Sequence, residues 1–331
     1  MMKTYNIALV GASGAVGAEL ISILEEINFP IGRFLPLVSV RSAGQKIHAF
    51  SQEYTLQEAT PKSFEGVDIA FFSAGSKVSE QLAPVAAQAG AVVIDNTSFF
   101  RLEPEVPLVV PEVNPNDLAH CSKNIISNPN CSTIQMVQVL NPLHRAFGIE
   151  RVEVSTYQAA SGAGKRGLEE LKAQMAGSTH AQVFPHPLAL NVIPQIDIFM
   201  PNGYTKEELK MVHETHKIMH ADFAISATCV RVPVLRSHSE SISICFKNPV
   251  SAKEAQEVLK NAPNIVLVDN PEQKLYPMPI TATSTDQTFV GRVRADLFDP
   301  HSLHLWCVAD QLRVGAATNA VRIALEWIKT H

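Results

Sequence analysis

The chain has 331 residues, of which 46% are hydrophobic and 18% charged, with a formal net charge of -5. At roughly 100–200 residues per domain this length suggests two domains, and the apolar fraction excludes wholesale disorder. No basic run points to nucleic acid, and the longest apolar stretches, such as Ala89–Ile94, are strand-sized, so no membrane span is expected. Residues 1–5 run straight into a strand pattern, without the charged, apolar and small-residue order of a secretory signal. The cysteines Cys121, Cys131, Cys229, Cys245 and Cys307 are odd in number, far apart and form no CxxC, which predicts free thiols and a cytoplasmic, reducing location.

In chain order, Asn6–Val10 reads as a buried strand and Gly11–Gly17 as a glycine-punctuated turn. Val16, Leu20, Ile23, Leu24 and Ile27 then repeat at helical spacing. Strands are expected at Phe34–Val40, Ile69–Phe72, Ala91–Asp95 and Leu108–Val110, with a helix over Ser76–Gln88. This alternation predicts a parallel sheet covered on both faces. The character changes after Cys131: a helix is expected over Thr133–Asn141, kinked or ended by Pro142. Alternating runs around Val152–Thr156 and Thr228–Val234 follow, then Ser241–Phe246, Ile265–Val268, Thr288–Val293 and Leu303–Val308. They suit a mixed or antiparallel sheet with helices on one face. Asp310–Ile328 reads as a last helix that packs back on the first domain. The fold class is therefore α/β, with a parallel-sheet domain over 1–130, completed by 310–331, and an α+β domain over 131–309.

Gly11, Gly14 and Gly17 fall between the first strand and first helix, where a dinucleotide fold needs a tight turn and helix amides for pyrophosphate. The spacing is GxxGxxG rather than GxGxxG, so the strand–turn–helix context carries the reading. The second strand ends Val40-Arg41-Ser42 with no acid for a ribose 2′-hydroxyl, whereas Arg41 and Ser42 suit a 2′-phosphate. NADP is thus favoured over NAD, the plain alternative being a solvated surface arginine.

Cys131 lies in Asn128-Pro129-Asn130-Cys131-Ser132-Thr133, ahead of a helix whose positive end favours a thiolate. A nucleophilic thiolate with a nicotinamide cofactor implies an acyl adduct on sulfur and hydride exchange at that carbon. Such chemistry also needs a base, an oxyanion stabiliser and anchors for the substrate's charges. His238 in Arg236-Ser237-His238-Ser239-Glu240 suits proton transfer, although a loop histidine is more often merely solvated. On the helix near Lys206–His220, Leu209, Val212, His216 and Met219 would form one face and Lys210, Glu214, Lys217 and Ala221 another. Glu214 and Lys217 share a side, which a simple surface ion pair would also explain. His213, His216 and His220 lack an accompanying carboxylate or HExxH, so no metal is expected.

Taken together, these segments resemble the aspartate-β-semialdehyde dehydrogenase family from end to end. The resemblance rests on Gly11–Gly17, Ser73-Ala74-Gly75, Asp95–Ser98 with Phe100-Arg101, Val110–Asn114, Asn128–Thr133, Thr156–Gln158 with Ser161–Gly164, Cys229–Val234 with Arg236–His238, and Gly315–Asn319. It implies a Rossmann-type NADP-binding domain and a catalytic and dimerisation domain with a mixed sheet. The implied reaction is NADPH-dependent reductive dephosphorylation of L-4-aspartyl phosphate to L-aspartate 4-semialdehyde, in biosynthesis of lysine, threonine, methionine and diaminopimelate. By the same resemblance Cys131 is the thioester nucleophile, Gln158 orients substrate and His238 is the general acid/base. Arg231 pairs the substrate α-carboxylate and Glu214 its ammonium, while Arg101, Asn130 and Lys217 bind phosphate. Gly11, Ser13, Gly14, Ala15, Val16, Arg41, Ser42, Ser161, Gly162 and Gln311 contact NADP. A homodimer or dimer of dimers is implied. The competing readings are N-acetyl-γ-glutamyl-phosphate reductase, whose acylated amine needs no acid such as Glu214, and a non-catalytic paralogue.

Overall fold

The structure is a computed structural model that describes residues 3–330. It divides into two compact units, one holding the chain up to Asn130 and again from Ala316, the other Cys131–Gly315. In the first, β1 (Tyr5–Val10), α1 (Ala15–Glu26) and β2 (Ile31–Val38) are followed by a hairpin of β3 (Lys46–Ala49) and β4 (Gln52–Thr55). Then come β5 (Gln57–Glu58), β6 (Ile69–Phe72), α2 (Ser76–Gln88), β7 (Val92–Asp95) and β8 (Ile125–Ser127). The strands form one parallel sheet in the order β5-β2-β1-β6-β7-β8. Strand order reverses between β1 and β6, so the crevice at their carboxyl ends is the expected ligand position of such a sheet. Both faces are apolar because both are covered: Ile7 and Leu9 pack on one side, Ala8 and Val10 on the other.

One expectation for this unit fails locally, and one element was not expected. Leu108–Val110 is not a strand; only Leu108 bridges to Ser127, and the edge strand is β8 instead. Prolines at 107 and 111 bracket that segment and remove ladder donors. The β3–β4 hairpin gave no turn signal, because its left-handed tip is Phe50-Ser51 rather than an Asn-Gly type pair.

The second unit opens with α3 (Cys131–Phe147), which runs through Pro142 rather than ending there. The proline costs one backbone bond. Met136, Val139, Leu140 and Leu143 continue one buried stripe across it, so packing outweighs the loss. β9 (Ile149–Gln158), α4 (Gly164–Met175), α5 (Lys206–Met219), β10 (Ala224–Arg231), β11 (His238–Phe246), α6 (Ala252–Lys260), β12 (Ile265–Leu267), α7 (Pro279–Ala282), β13 (Thr288–Ala295) and β14 (Ser302–Ala309) follow. Their mixed sheet has the order β10-β9-β11-β14-β13-β12, and α3, α5 and α6 contribute to the core beneath it.

The last expected helix is shorter than its pattern. Asp310–Leu312 is non-helical, Arg313–Ala317 is a wide helical turn, and α8 spans Thr318–Ile328. Asp310 is drawn into the second unit, where its carboxylate accepts from Arg236 Nε at 2.7 Å and from the Ser284 amide at 2.6 Å. α8 packs on α1 in the first unit, burying Ala320, Val321, Ile323 and Ala324.

Candidate active site

In the first unit the loop after β1 makes a cradle of backbone. Gly11 has φ +96°, and a Cβ there would lie 2.8 Å from Ser73 Oγ. A Cβ on Gly17 would lie 2.4 Å from the Gly11 carbonyl oxygen, so α1 packs against the loop as only glycine permits. A cleft of about 460 Å³ opens at the carboxyl ends of β1, β2 and β6, lined in part by Gly11, Ser13, Gly14, Val40 and Ser73. Ala15 and Val16 begin α1 there, and its free amides suit an anion. This cradle fits a dinucleotide. Arg41 is exposed and Ser42 half-buried in the turn after β2. The cleft also carries Glu58, from β5, which pairs with Val38 across the sheet edge. Glu58 was missed because it follows the second strand by a whole hairpin, so spacing from the glycine loop does not find it. Arg101 is buried, with Nε donating to the Asn128 carbonyl at 2.9 Å and Nη2 to the Asn96 carbonyl at 2.8 Å. Asn130 is likewise buried in this unit.

In the second unit the functional side chains come from one level of three neighbouring strands. Gln158 ends β9 and pairs in register with Arg231, which ends the parallel β10. His238 begins β11, one step beyond the Ser239–Tyr157 pair. Helix α3 starts at Cys131 over this row: Gln158 Nε2 donates to Ser132 Oγ at 2.9 Å, and Gln135 Nε2 donates to the His238 carbonyl at 3.5 Å. Gly315 lies against the nucleophile candidate, since a Cβ there would be 2.7 Å from Cys131 Cβ.

The histidine's tautomer follows from its contacts. The Ala159 amide donates to His238 Nδ1 at 3.1 Å, so that nitrogen carries the lone pair and the neutral ring presents Nε2–H. Nε2 is buried with no hydrogen-bond partner among the described residues. Burial first, and then the Arg231 charge, hold this imidazole well below its ordinary range, so it is neutral at neutral pH. Burial likewise pushes Arg231 down, while Glu207 and Cys131 push it back up. Two residues below His238 on the same strand face, Glu240 is fully buried and its carboxyl is pushed well above the usual range by burial, with Gln135 opposing.

The turn Ala160–Ala163 closes over these groups. Ser161, Gly162 and Gln311, expected at the cofactor, here gather around His238: Gln311 Nε2 donates to Ser161 Oγ at 2.5 Å and the Ser237 amide donates to Gln311 Oε1 at 2.7 Å. A Cβ on Gly162 would lie 2.6 Å from Arg231 Nη1 and 3.0 Å from His238 Nε2. Gly162→Ala is therefore expected to cut turnover by roughly 10²-fold through displacement of either group, with melting temperature nearly unchanged. Kinetics beside calorimetry check this; full activity would show that neither group is needed where it sits.

Helix α5 presents a different face from the one its apolar spacing predicts. Its buried residues are Glu207, Glu208, Met211, Glu214, Thr215 and Ile218. Carboxylates are buried there because they have partners. Glu208 completes a capping box with Thr205 and accepts the Cys229 amide at 2.9 Å, tying the first turn of α5 to the end of β10. Glu207 Oε1 accepts from Gln158 Nε2 at 3.3 Å, and Glu207 Oε2 pairs with Lys210 at 3.0 Å. Lys210 also reaches Asp197 at 2.8 Å; burial lowers its pKa, but the two carboxylates outweigh that and raise it. The structure thus brings Glu207 and Lys210 to the functional row. Glu214 and Lys217 stand seven residues further on, about 10 Å along the helix axis at 1.5 Å per residue. The same Glu–Lys spacing occurs twice in this helix, and only the strand pairing decides which copy meets Gln158.

Comparison with known proteins agrees with this architecture. Residues 6–121 match the semialdehyde dehydrogenase NAD-binding domain and residues 140–314 the semialdehyde dehydrogenase dimerisation domain. The aspartate-semialdehyde dehydrogenase of Helicobacter pylori is 59% identical over 345 residues, covering 99% of each chain. Among solved structures, aspartate semialdehyde dehydrogenase II of Vibrio cholerae complexed with ASA superposes with a TM-score of 0.97 at 43% identity, over 100% of both chains. The Candida albicans enzyme with NADP gives a TM-score of 0.77 at 26% identity over 99% of both chains. With both domain models matched and identity this high along the whole length, the chain belongs to the aspartate-semialdehyde dehydrogenase family.

Proposed function

We propose that the protein interconverts L-4-aspartyl phosphate and L-aspartate 4-semialdehyde with NADP(H). The observation that carries this is the convergence of Gln158, Arg231 and His238 on one strand level beneath the start of α3, where Cys131 stands. Cys131 sulfur attacks the acyl carbon, the tetrahedral adduct expels phosphate, and an aspartyl thioester remains. Bound NADPH supplies hydride to that carbon. The resulting thiohemiacetal breaks its C–S bond to release aldehyde and return the thiolate. His238 Nε2–H donates to the oxygen on which charge develops. Arg231 pairs with the substrate α-carboxylate through its two-pronged guanidinium. Glu207, rather than Glu214, takes the substrate ammonium, and Lys210, rather than Lys217, supplies the adjacent cation. Arg101 and Asn130 serve the phosphate. A non-catalytic role is disfavoured because nucleophile, acid and carboxylate anchor are all retained.

The first unit's cleft holds the dinucleotide. Glu58 there suits ribose hydroxyls and Arg41 a 2′-phosphate, so the two residues pull the preference in opposite directions. Arg41→Ala is expected to raise the KM for NADP roughly tenfold and leave NAD within about twofold. The decisive assay is phosphate-dependent oxidation of aspartate semialdehyde by the parent protein with NADP and NAD side by side. No turnover with either would reject the function, and an unchanged NADP preference in the variant would reject the role of Arg41. A homodimer across the open sheet face, where Tyr157 and Trp306 have ring centroids 5.2 Å apart, completes the reading, with two copies in light scattering as its test. All five cysteines are free thiols, which suits a cytoplasmic enzyme. No helix among the described residues is long and apolar enough to cross a membrane.

A further inference from the structure

The irregular segment 182–197, between α4 and α5, has no regular structure to hold it, yet it is bonded at several separate points. Glu170 of α4 accepts three consecutive amides, those of Gln182 at 2.8 Å, Val183 at 2.7 Å and Phe184 at 3.2 Å. These bonds outweigh the cost of desolvation and hold the Glu170 carboxyl below its usual range. One turn along α4, Gln174 Oε1 accepts the amides of Leu188 at 2.8 Å and Ala189 at 3.1 Å. Ile193 then makes a two-way bridge with Arg231: each amide donates to the other's carbonyl at 2.9 Å. At the far end Asp197 pairs with Lys210, which in turn pairs with Glu207.

The segment also packs on the Arg231 guanidinium. The Phe184 ring centroid lies 5.8 Å from Arg231 Cζ, within cation–π range. Arg231 Nη1 donates to the Ala159 carbonyl at 2.6 Å, and the Gly162 backbone leaves no room beside that nitrogen. The ring itself cannot drift, because Phe184 sits in a buried cluster with Ala160, Leu171, Leu188 and Ile193. A Cβ on Gly167 would be 3.1 Å from its tip. A cleft of about 410 Å³, lined in part by Ala163, Phe184, Gln195 and Asp197, opens onto Arg231.

We propose that segment 182–197, latched to α4 through Glu170, is the cover of the substrate's amino-acid end, and that Phe184 is the positioning residue that fixes the Arg231 fork for the α-carboxylate. This rests on the proposed reaction. The cover recognises a compact α-amino acid: one wall supplies the cation for its carboxylate, and the Asp197–Lys210–Glu207 chain supplies the charges for its ammonium end. A substrate whose amine is acylated has neither the charge nor the compactness to use it.

The test compares the parent protein with Phe184→Leu, which keeps an apolar plug but no ring, and Glu170→Gln, which keeps one acceptor oxygen but sets an amide NH₂ against a backbone N–H. Initial rates of phosphate-dependent oxidation are measured while aspartate semialdehyde, phosphate and NADP are varied in turn. Both variants are expected to raise the KM for semialdehyde about 3- to 30-fold, the span of one cation–π contact, with kcat and the KM values for phosphate and NADP within about twofold. A loss that fell on kcat or on all three KM values together would mark a general packing role and overturn the proposal. Unchanged semialdehyde KM in both variants, with an active parent, would also overturn it and leave the proposed reaction standing. An inactive parent would reject the reaction and the cover together.

Discussion

Cys131→Ser is expected to lower semialdehyde oxidation by roughly 10⁴-fold or more, because it removes the only atom proposed to bond covalently to substrate. The substitution is nearly isosteric, so the tight approach of Gly315 to the Cys131 Cβ is preserved and the start of α3 has no reason to move. What changes is the nucleophile. A thiolate is accessible near neutral pH, whereas a serine hydroxyl stays protonated without a strong base at hand. None stands ready here: His238 has its lone pair occupied by the Ala159 amide and turns Nε2–H toward the site. The helix N-terminus and Arg231 stabilise an anion at position 131 but take no proton from it. Binding of NADP, measured by fluorescence titration, is expected to stay within about twofold of the parent, because the glycine cradle belongs to the other unit. A rate within tenfold of the parent would remove Cys131 from the chemistry. Loss of NADP binding would mean that the substitution had damaged the fold instead.

How far the fold could be read in advance depended on whether apolar spacing was the deciding force. β6 over Ile69–Phe72 and α2 over Ser76–Gln88 match the elements read from their residues, because each is fixed by its own pattern. Of the two outcomes expected at Pro142, the helix does not end there: helix rules price the lost backbone bond, while the stripe from Met136 to Leu143 carries the helix on. Helix α5 was misread for the opposite reason. Glu207, Glu208 and Glu214 look like solvent residues, but Glu208 accepts from the Thr205 and Cys229 amides and Glu207 from Gln158 and Lys210, which makes burial of the first two tolerable. The Cys229 amide and Gln158 lie on other elements, so no local pattern reports them.

The site shows the same division. The glycine loop and its cradle are legible because both lie in one strand–turn–helix stretch. The meeting of Gln158, Arg231 and His238 depends on strand register across three segments far apart in sequence, and single-sequence periodicity carries no register. Those residues were identified by resemblance, and on α5 the resemblance points to Glu214 and Lys217, whereas the pair that meets Gln158 is Glu207 with Lys210, because the Glu–Lys spacing is repeated. The segment 182–197 offered nothing to read at all, since what orders it is hydrogen bonding to Glu170 and Gln174 and not its own composition.

The tautomer of His238 yields a pair of substitutions with opposite expected outcomes. Asparagine places its amide oxygen near the position of Nδ1, so His238→Asn keeps an acceptor for the Ala159 amide but loses the donor at Nε2. Glutamine extends an NH₂ toward the Nε2 position and keeps the donor. If donation from Nε2 to the developing oxyanion is what matters, His238→Asn should lose about 10²–10⁴ in kcat, and His238→Gln should retain clearly more. Equal loss in both would assign the ring's function to proton uptake instead. The pH dependence follows from the same geometry. Protonation puts a hydrogen on Nδ1 facing the Ala159 N–H, so the cation is opposed by a like donor as well as by burial and Arg231. Turnover should therefore be flat around neutrality and fall only at acidic pH, below the ordinary histidine range of about 6.5. Stability should fall with it. The unfolded chain binds this proton near pH 6.5 while the folded chain refuses it until a lower pH, so the unfolded state holds more protons in that interval. Stability is complete above the unfolded value and is lost as pH drops from there toward the folded one. Melting temperatures from neutral pH downward should decline more steeply for the parent than for His238→Gln, which has no proton to bind. Parallel declines would show that the imidazole takes up its proton as readily in the folded protein as in the unfolded chain, and the opposition from burial and Arg231 would then be wrong.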